Sequence, residues 1–399
     1  MLVQLEQTNS ADAGIPLLRA GFRPFFLLAG SQAALQVPVW LAQVAGGLSL
    51  RLPYGANLWH GHEMLFGFGG AAVAGFLLTA VPSWTGIPTP RGRWLGAFAA
   101  LWLAARLAFA LGGLLPPWVA AALDLPFLPL LGVMVAVPLL RAGKWRNTMF
   151  LGILAVLTGA DALVLAEMGG LADCGRNGLF LALFALILMV GVIGGRIIPA
   201  FTQSALRQAG IAWQPRAAPL LEKLAVASLA AVAVLEAVLP GSSWAGLACL
   251  AAAPLHLLRL VRWEGWRARR IPLLWVLHLG YLWLPLGLML MGVAGLAPDL
   301  LRPEQALHGL SAGCIGTMVL AVMSRAALGH GGRPLVPARP IVAAYVLVWG
   351  AAWVRVFGPL VDPLPALWLS GLAWSAGFAL FVMVYAPICL SPRADGQPG

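Results

Sequence analysis

Stretches of about 20 apolar residues, separated by short clusters of proline, glycine and arginine, follow one another along most of this chain. A helix rising 1.5 Å per residue needs about 20 such residues to cross a hydrocarbon layer about 30 Å thick. The segments therefore read as membrane spans. Composition agrees: 61% of the 399 residues are hydrophobic, 10% are charged and the mean hydropathy is +0.88, whereas soluble domains carry roughly 25% charged residues. Ten-residue segments of alternating polarity are absent, which excludes a membrane β-barrel.

Spans are expected near residues 21–46, 59–81, 94–114, 117–140, 147–168, 177–199, 218–239, 243–262, 272–294, 304–327, 339–357 and 364–389. The expected fold class is an all-α integral membrane protein, a bundle of about twelve transmembrane helices. No hydrophilic segment is long enough for a second domain. Residues 1–399 read as one polytopic domain, with tails of about 20 residues at the amino end and about 10 at the carboxyl end.

A net charge of +11 raises the question of nucleic acid, but the distribution of the charge answers it. Arg19, Arg23, Arg91, Arg93, Arg141, Lys144, Arg146, Arg196, Arg207, Arg216, Lys223, Arg259, Arg262, Arg267, Arg269, Arg270, Arg325, Arg333, Arg339 and Arg393 fall on one side of the expected topology. Only Arg51, Arg176, Arg302 and Arg355 fall on the other, and Arg106 lies inside a span. By the positive-inside rule both termini are cytoplasmic. The alternation also supports an even number of spans, and no nucleic-acid role is expected. The first apolar run begins after Glu6 and Asp12 and lacks a small-residue cleavage site, so it reads as a retained helix. Cys174, Cys249, Cys314 and Cys389 show no paired spacing, so no disulfide framework is expected.

All six histidines lie within or beside spans. Polar groups are costly in a bilayer, so each is a candidate for function, with interhelical hydrogen bonding as the ordinary alternative. Helical rise puts His60, His62 and Glu63 at the outer start of the second span and His308 one turn into the tenth. His256 and His278 come out roughly 9 Å from the inner boundary, and His330 lies just beyond it. Two groups result, one per leaflet. Within WHGHEM, His60 and His62 sit about 200° apart on a regular helix, so they serve one ion only if that end unwinds. They otherwise serve two centres, or one ligates and the other supports. Met64 shares a face with His60, and a histidine with a thioether suits copper or haem iron.

The tenth span opens LHGLSAGCIGTM, in which small residues let backbones approach closely or admit a flat macrocycle beside His308. Gly67, Gly69 and Gly70 repeat that composition after His60 and His62. Tyr281, one turn after His278, is placed to donate a hydrogen bond or to anchor its helix. Haem propionates call for basic partners. Arg196 and Arg325, at the inner ends of their spans, are candidates, and the same position suits ordinary positive-inside anchors. Glu63 is a candidate supporting group beside the histidines. Arg106, Asp124 and Asp161 reach a common depth, roughly 10 to 12 Å from the outer boundary, and read as an ion-paired structural cluster or a proton path. No phosphate-binding loop, Cys-x-x-Cys pair or covalent haem attachment motif occurs, so any haem is non-covalent. No serine-nucleophile arrangement is expected either.

Six blocks resemble the NnrS family: GFRPFF at 21–26, WHGHEMLFGF at 59–68, GFLLTAVPSWTG at 75–86, GGRIIPAFT at 194–202, PLLWVLHLGYLWLPLGL at 272–288 and LHGLSAGCIGTMVLAVMSRAALGHGGRPL at 307–335. They span both halves of the chain in the family's order. The resemblance implies a bacterial inner-membrane protein of about twelve helices that contains haem, of b type, and copper. It also implies a part in the response to nitric oxide and nitrosative stress, often beside denitrification functions. The family's histidines fall on His60, His62, His278, His308 and His330, with His256 kept as a further candidate. Gly331 stands where the family more often has threonine, which removes a hydroxyl but no ligand. Two other readings remain open: a secondary transporter, for which twelve helices with cytoplasmic termini are also suited, and a non-catalytic sensor or assembly factor that handles metal for other proteins.

Overall fold

The computed structural model describes residues 14–48, 52 and 54–397, and among them every regular element is helical. Glu6, Asp12 and Arg51, which entered the topology above, lie outside the described residues. Twelve rods follow one another: α1 Phe22–Val44, α2 Ala56–Thr85, α3 Arg93–Ala110, α4 Pro117–Arg141, α5 Trp145–Met168, α6 Gly175–Gln208, α7 Pro219–Val238, α8 Ser243–Arg262, α9 Pro272–Leu296, α10 Pro303–His330, α11 Arg339–Leu360 and α12 Pro363–Leu390. All but α7 are long and apolar enough to cross a membrane. The exception carries Glu222, Lys223 and Glu236, yet it packs between α6 and α8 like its neighbours. Its Glu222 pairs with Arg259 of α8 at 2.6 Å, which removes part of the cost of a carboxylate there.

The expected spans and the observed rods agree in number and order, and differ at some ends. The sixth span was expected to stop near 199, but α6 runs on to Gln208. Pro199 deletes one hydrogen bond without ending the helix. The rod stops where Gly210 takes φ of 75° and Ile211 donates back to the Leu206 carbonyl, a glycine C-terminal cap.

Burial sorts the rods into two populations. In α2, 78% of the apolar window is buried, and in α6, α9 and α10 67%, against 39–44% for the other spans. These four rods form the centre of the bundle, with α6 touching both α9 and α10. Three of the four carry five of the six histidines. The ends of the chain meet at one face: Arg23 of α1 is fully buried and donates from Nη1 to the carbonyls of Cys389 at 2.9 Å and Ser391 at 2.5 Å, capping the last turn of α12. This explains the arginine in GFRPFF. An even number of rods brings the start of α1 and the end of α12 to that face.

Two central rods depart from α-helical hydrogen bonding in a corresponding place. Each widens into a π-helix just after its first histidines, over Glu63–Gly69 in α2 and Gly309–Gly316 in α10. Such segments are rare and cluster at functional sites, because the extra residue per turn re-aims neighbouring side chains.

Candidate functional site

The two π-helical segments face a common cavity of about 500 Å³ in the half of the bundle opposite the termini. His60 and Met64 line it from α2, and His308 and Ser311 from α10. The volume is that of a site for a sizeable organic ligand, and its lining is predominantly apolar.

The histidine hydrogen bonds set what each ring can do. His60 Nδ1 lies 3.0 Å from Gln36 Oε1 of α1, and its ring stacks on Trp40 with centroids 4.4 Å apart. His308 Nδ1 lies 2.5 Å from the carbonyl of Glu304, one turn earlier on α10. A carbonyl oxygen only accepts, so it fixes the hydrogen of His308 on Nδ1, and the amide oxygen of Gln36 does the same for His60. In both rings Nε2 keeps its lone pair, the arrangement by which metal-binding histidines are oriented.

His62 turns the other way, as its 200° offset from His60 requires. It is fully buried among Asp124 and Asp161, with Nε2 2.9 Å from Asp124 Oδ2 and 3.1 Å from Asp161 Oδ1. Its Nδ1 lies 3.2 Å from Glu63 Oε1. Arg106 pairs closely with Asp124 Oδ1 and lies 3.2 Å from Glu63 Oε1. Gln32 donates to Glu63 Oε2 at 2.6 Å. Gly67 makes room for this guanidinium: a Cβ there would lie 2.9 Å from Arg106 Nη1. Of the three groups matched by depth, Arg106 and Asp124 are in direct contact and Asp161 joins them through His62, with Glu63 in the same group.

The histidines near the terminal face do not converge as a group. His256 has both ring nitrogens engaged, Nδ1 with the Tyr281 hydroxyl at 2.8 Å and Nε2 with the Ala225 carbonyl at 3.1 Å. Arg259 donates to the same hydroxyl at 2.6 Å, which closes a structural network and leaves His256 no lone pair for a metal. Tyr281 is therefore committed to α8. His278 Nε2 lies 3.0 Å from Thr202 Oγ1, while its Nδ1 has no hydrogen-bond partner. That ring borders a separate cavity of about 690 Å³ beside Trp266 and Trp349, with no other histidine in its lining. His330 packs near the Phe22 ring, with centroids 5.9 Å apart.

Neither arginine selected for propionates reaches the histidine-lined cavity. Arg196 donates to Asn147 Oδ1 at 2.9 Å, and Arg325 lies over the Phe201 ring at 3.9 Å. Both sit near the terminal face because depth was matched to His278 and His330. The cavity that His60 and His308 line is on the opposite side. There Arg176 and Arg355 line it instead, and among the described residues no carboxylate pairs with Arg355. Sequence reading had assigned both only to loop charge. Gln36 was also missed, although a glutamine inside an apolar span was a usable signal.

The expectation of no serine-nucleophile pattern needs correction. Residues 309–313 read Gly-Leu-Ser-Ala-Gly, a Gly-x-Ser-x-Gly match. The segment is helical, and the Ser311 hydroxyl donates to the Leu307 carbonyl at 3.1 Å. A nucleophile elbow requires a strand-to-helix turn with the serine exposed and a base beside it, so the match is not catalytic. Glycines of this helical segment instead accommodate neighbours: Gly313 lies against Trp283 and Gly316 against Trp374.

Fold and site together define a polytopic helical membrane protein with a histidine-lined cavity and a separate buried charge cluster. The sequence profile described as NnrS protein matches residues 16–393. The chain belongs to the NnrS family, and that membership supports, at the level of the family alone, a haem- or metal-containing membrane protein of the nitric oxide response. No curated protein matches it.

Proposed function

We propose that this protein binds a non-covalent b-type haem in the cavity between the two π-helical segments, with His60 and His308 presenting the nitrogens that ligate iron. The protein then acts in defence against nitric oxide and nitrosative stress, in the inner membrane of a denitrifying bacterium, with both termini cytoplasmic. One observation carries the reading. Two imidazoles from two central helices have Nδ1 tied to oxygen acceptors and line one cavity of suitable size. Arg355, without a carboxylate partner among the described residues, and Arg176 fit the two propionates of such a group.

Haem held there would supply an iron centre with affinity for nitric oxide. The chain's own residues do the rest. Gln36 and the Glu304 carbonyl hold the two rings in the tautomer that leaves Nε2 available, and Trp40 fixes the plane of His60. Leu183, Ile315 and Trp374 make much of the wall apolar. Copper fits less well. His60 and Met64 offer an imidazole and a thioether, but within the cavity assigned to haem. His278 offers a free Nδ1 with no second histidine in its cavity. No step is therefore assigned to copper.

The test is direct. Protein purified from cells supplied with haem and copper is expected to show a haem spectrum that changes on reduction and again on adding nitric oxide. A folded preparation containing neither haem nor copper refutes the proposal.

A further inference from the structure

We infer that His62, Asp124 and Asp161 form a divalent-cation site, distinct from the cavity of His60 and His308. The ion is of the oxygen- and imidazole-preferring class, such as Zn²⁺, Mn²⁺ or Fe²⁺. One donor atom from each residue lies within 4.8 Å of the others. Three different helices supply them: α2, α4 and α5.

The other groups around the three donors hold one another in place. His62 Nδ1 faces Glu63 Oε1 at 3.2 Å, and Glu63 is held by Gln32 at 2.6 Å and by Arg106 at 3.2 Å. Arg106 also holds Asp124 through Oδ1, the oxygen that points away from His62. A carboxylate on Nδ1 directs the histidine lone pair to Nε2, the pattern that orients metal-binding histidines. Nε2, Asp124 Oδ2 and Asp161 Oδ1 are thus left facing one another.

Without an ion that meeting is poorly satisfied. Nε2 carries at most one hydrogen, and two carboxylate oxygens compete for it. Asp124 Oδ2 lies 2.9 Å and Asp161 Oδ1 3.1 Å from Nε2, so one of these two buried oxygens is left without a donor. Charge points the same way. Glu63, Asp124 and Asp161 are buried with a single guanidinium, that of Arg106, so one negative charge stays in excess with His62 protonated and two with His62 neutral. A divalent cation cancels them, and unpaired charge at this depth is costly. Nitrogen and carboxylate donors without thiolate or thioether suit divalent first-row ions rather than reduced copper. The site does not depend on haem occupying the neighbouring cavity.

The test is zinc binding to chelator-stripped, purified full-length protein, measured by calorimetry with Zn²⁺ alone as the probe. The wild type, His60→Ala and His308→Ala are expected to bind one equivalent with high affinity. Asp161→Asn should weaken that event at least 100-fold, and His62→Gln, which keeps a hydrogen-bonding side chain of similar reach, should do the same. Circular dichroism and size-exclusion profiles report folding for each variant, and the pair keeps the test valid if one of them misfolds. Unchanged zinc affinity in a folded Asp161→Asn or His62→Gln variant overturns the site, as does a folded wild type that binds no zinc. The second result leaves a proton-balanced cluster as the account. Neither result touches the haem reading, which is judged on spectra.

Discussion

Removing Arg106 should disturb the buried cluster without touching the cavity lined by His60 and His308. It is 6% exposed and pairs with both Asp124 and Glu63. Breaking a buried ion pair by deleting one partner typically costs about 3 to 5 kcal/mol, because the abandoned charge is stranded. Arg106→Gln keeps much of the volume and one or two donors but loses the charge, so a loss of about 3 kcal/mol of folding stability is expected. The cause can be separated from simple loss of packing. If stranded charge dominates, Arg106→Gln combined with Asp124→Asn should be less destabilised than Arg106→Gln alone, with a coupling of about 1 to 3 kcal/mol between the two sites. The assay is reversible unfolding in mixed micelles titrated with a denaturing detergent, followed by tryptophan fluorescence, for both single variants and the double. A loss below about 1 kcal/mol for Arg106→Gln, in the range of an exposed pair, refutes the reasoning, as does strict additivity in the cycle.

Other consequences can be checked on the same preparations. Gly67→Ala places a Cβ 2.9 Å from Arg106 Nη1 and 3.2 Å from Gln32 Nε2, so it should destabilise by about 1 to 3 kcal/mol in the same unfolding assay. Combining it with Arg106→Gln should relieve that clash. With haem in the cavity as proposed, Arg355→Gln would remove a charge-assisted contact to a propionate worth about 1.5 to 3 kcal/mol, which is a roughly 10- to 150-fold weaker haem affinity in a competition assay. Arg196→Gln and Arg325→Gln, whose guanidinium groups lie against Asn147 and Phe201, should leave haem affinity unchanged.

Much of the architecture was legible because a bilayer leaves few choices. Every backbone group must be satisfied within its own segment, so apolar runs of the right length become helices in the order written. The ends were less legible: Pro199 does not stop α6, since one lost hydrogen bond is tolerated and the glycine at 210 is the effective terminator. Within a helix the angular arithmetic held. His60 and Met64 share a face and His62 points elsewhere, as spacing dictates. Counting depth also brought Arg106, Asp124 and Asp161 together, because equal depth on neighbouring helices is nearly a contact prediction. It could not reveal the rotation of each helix about its axis. That rotation placed His62 and Glu63 in the charge cluster and Arg355 at the cavity. It also directed His256 into hydrogen bonds with Tyr281 and Ala225. The π-helical segments left only a compositional trace, a surplus of glycine after each histidine.

Haem content of single-histidine variants tests the central claim most directly. His60→Ala, His62→Ala, His278→Ala and His308→Ala are to be prepared alike, with haem per chain measured by extraction and spectra recorded in both redox states. The account predicts that haem is lost, or its iron coordination visibly altered, in His60→Ala and His308→Ala, while folded His62→Ala and His278→Ala retain the wild-type spectrum. Full haem content with unchanged spectra in both His60→Ala and His308→Ala, or loss confined to His278→Ala, contradicts it.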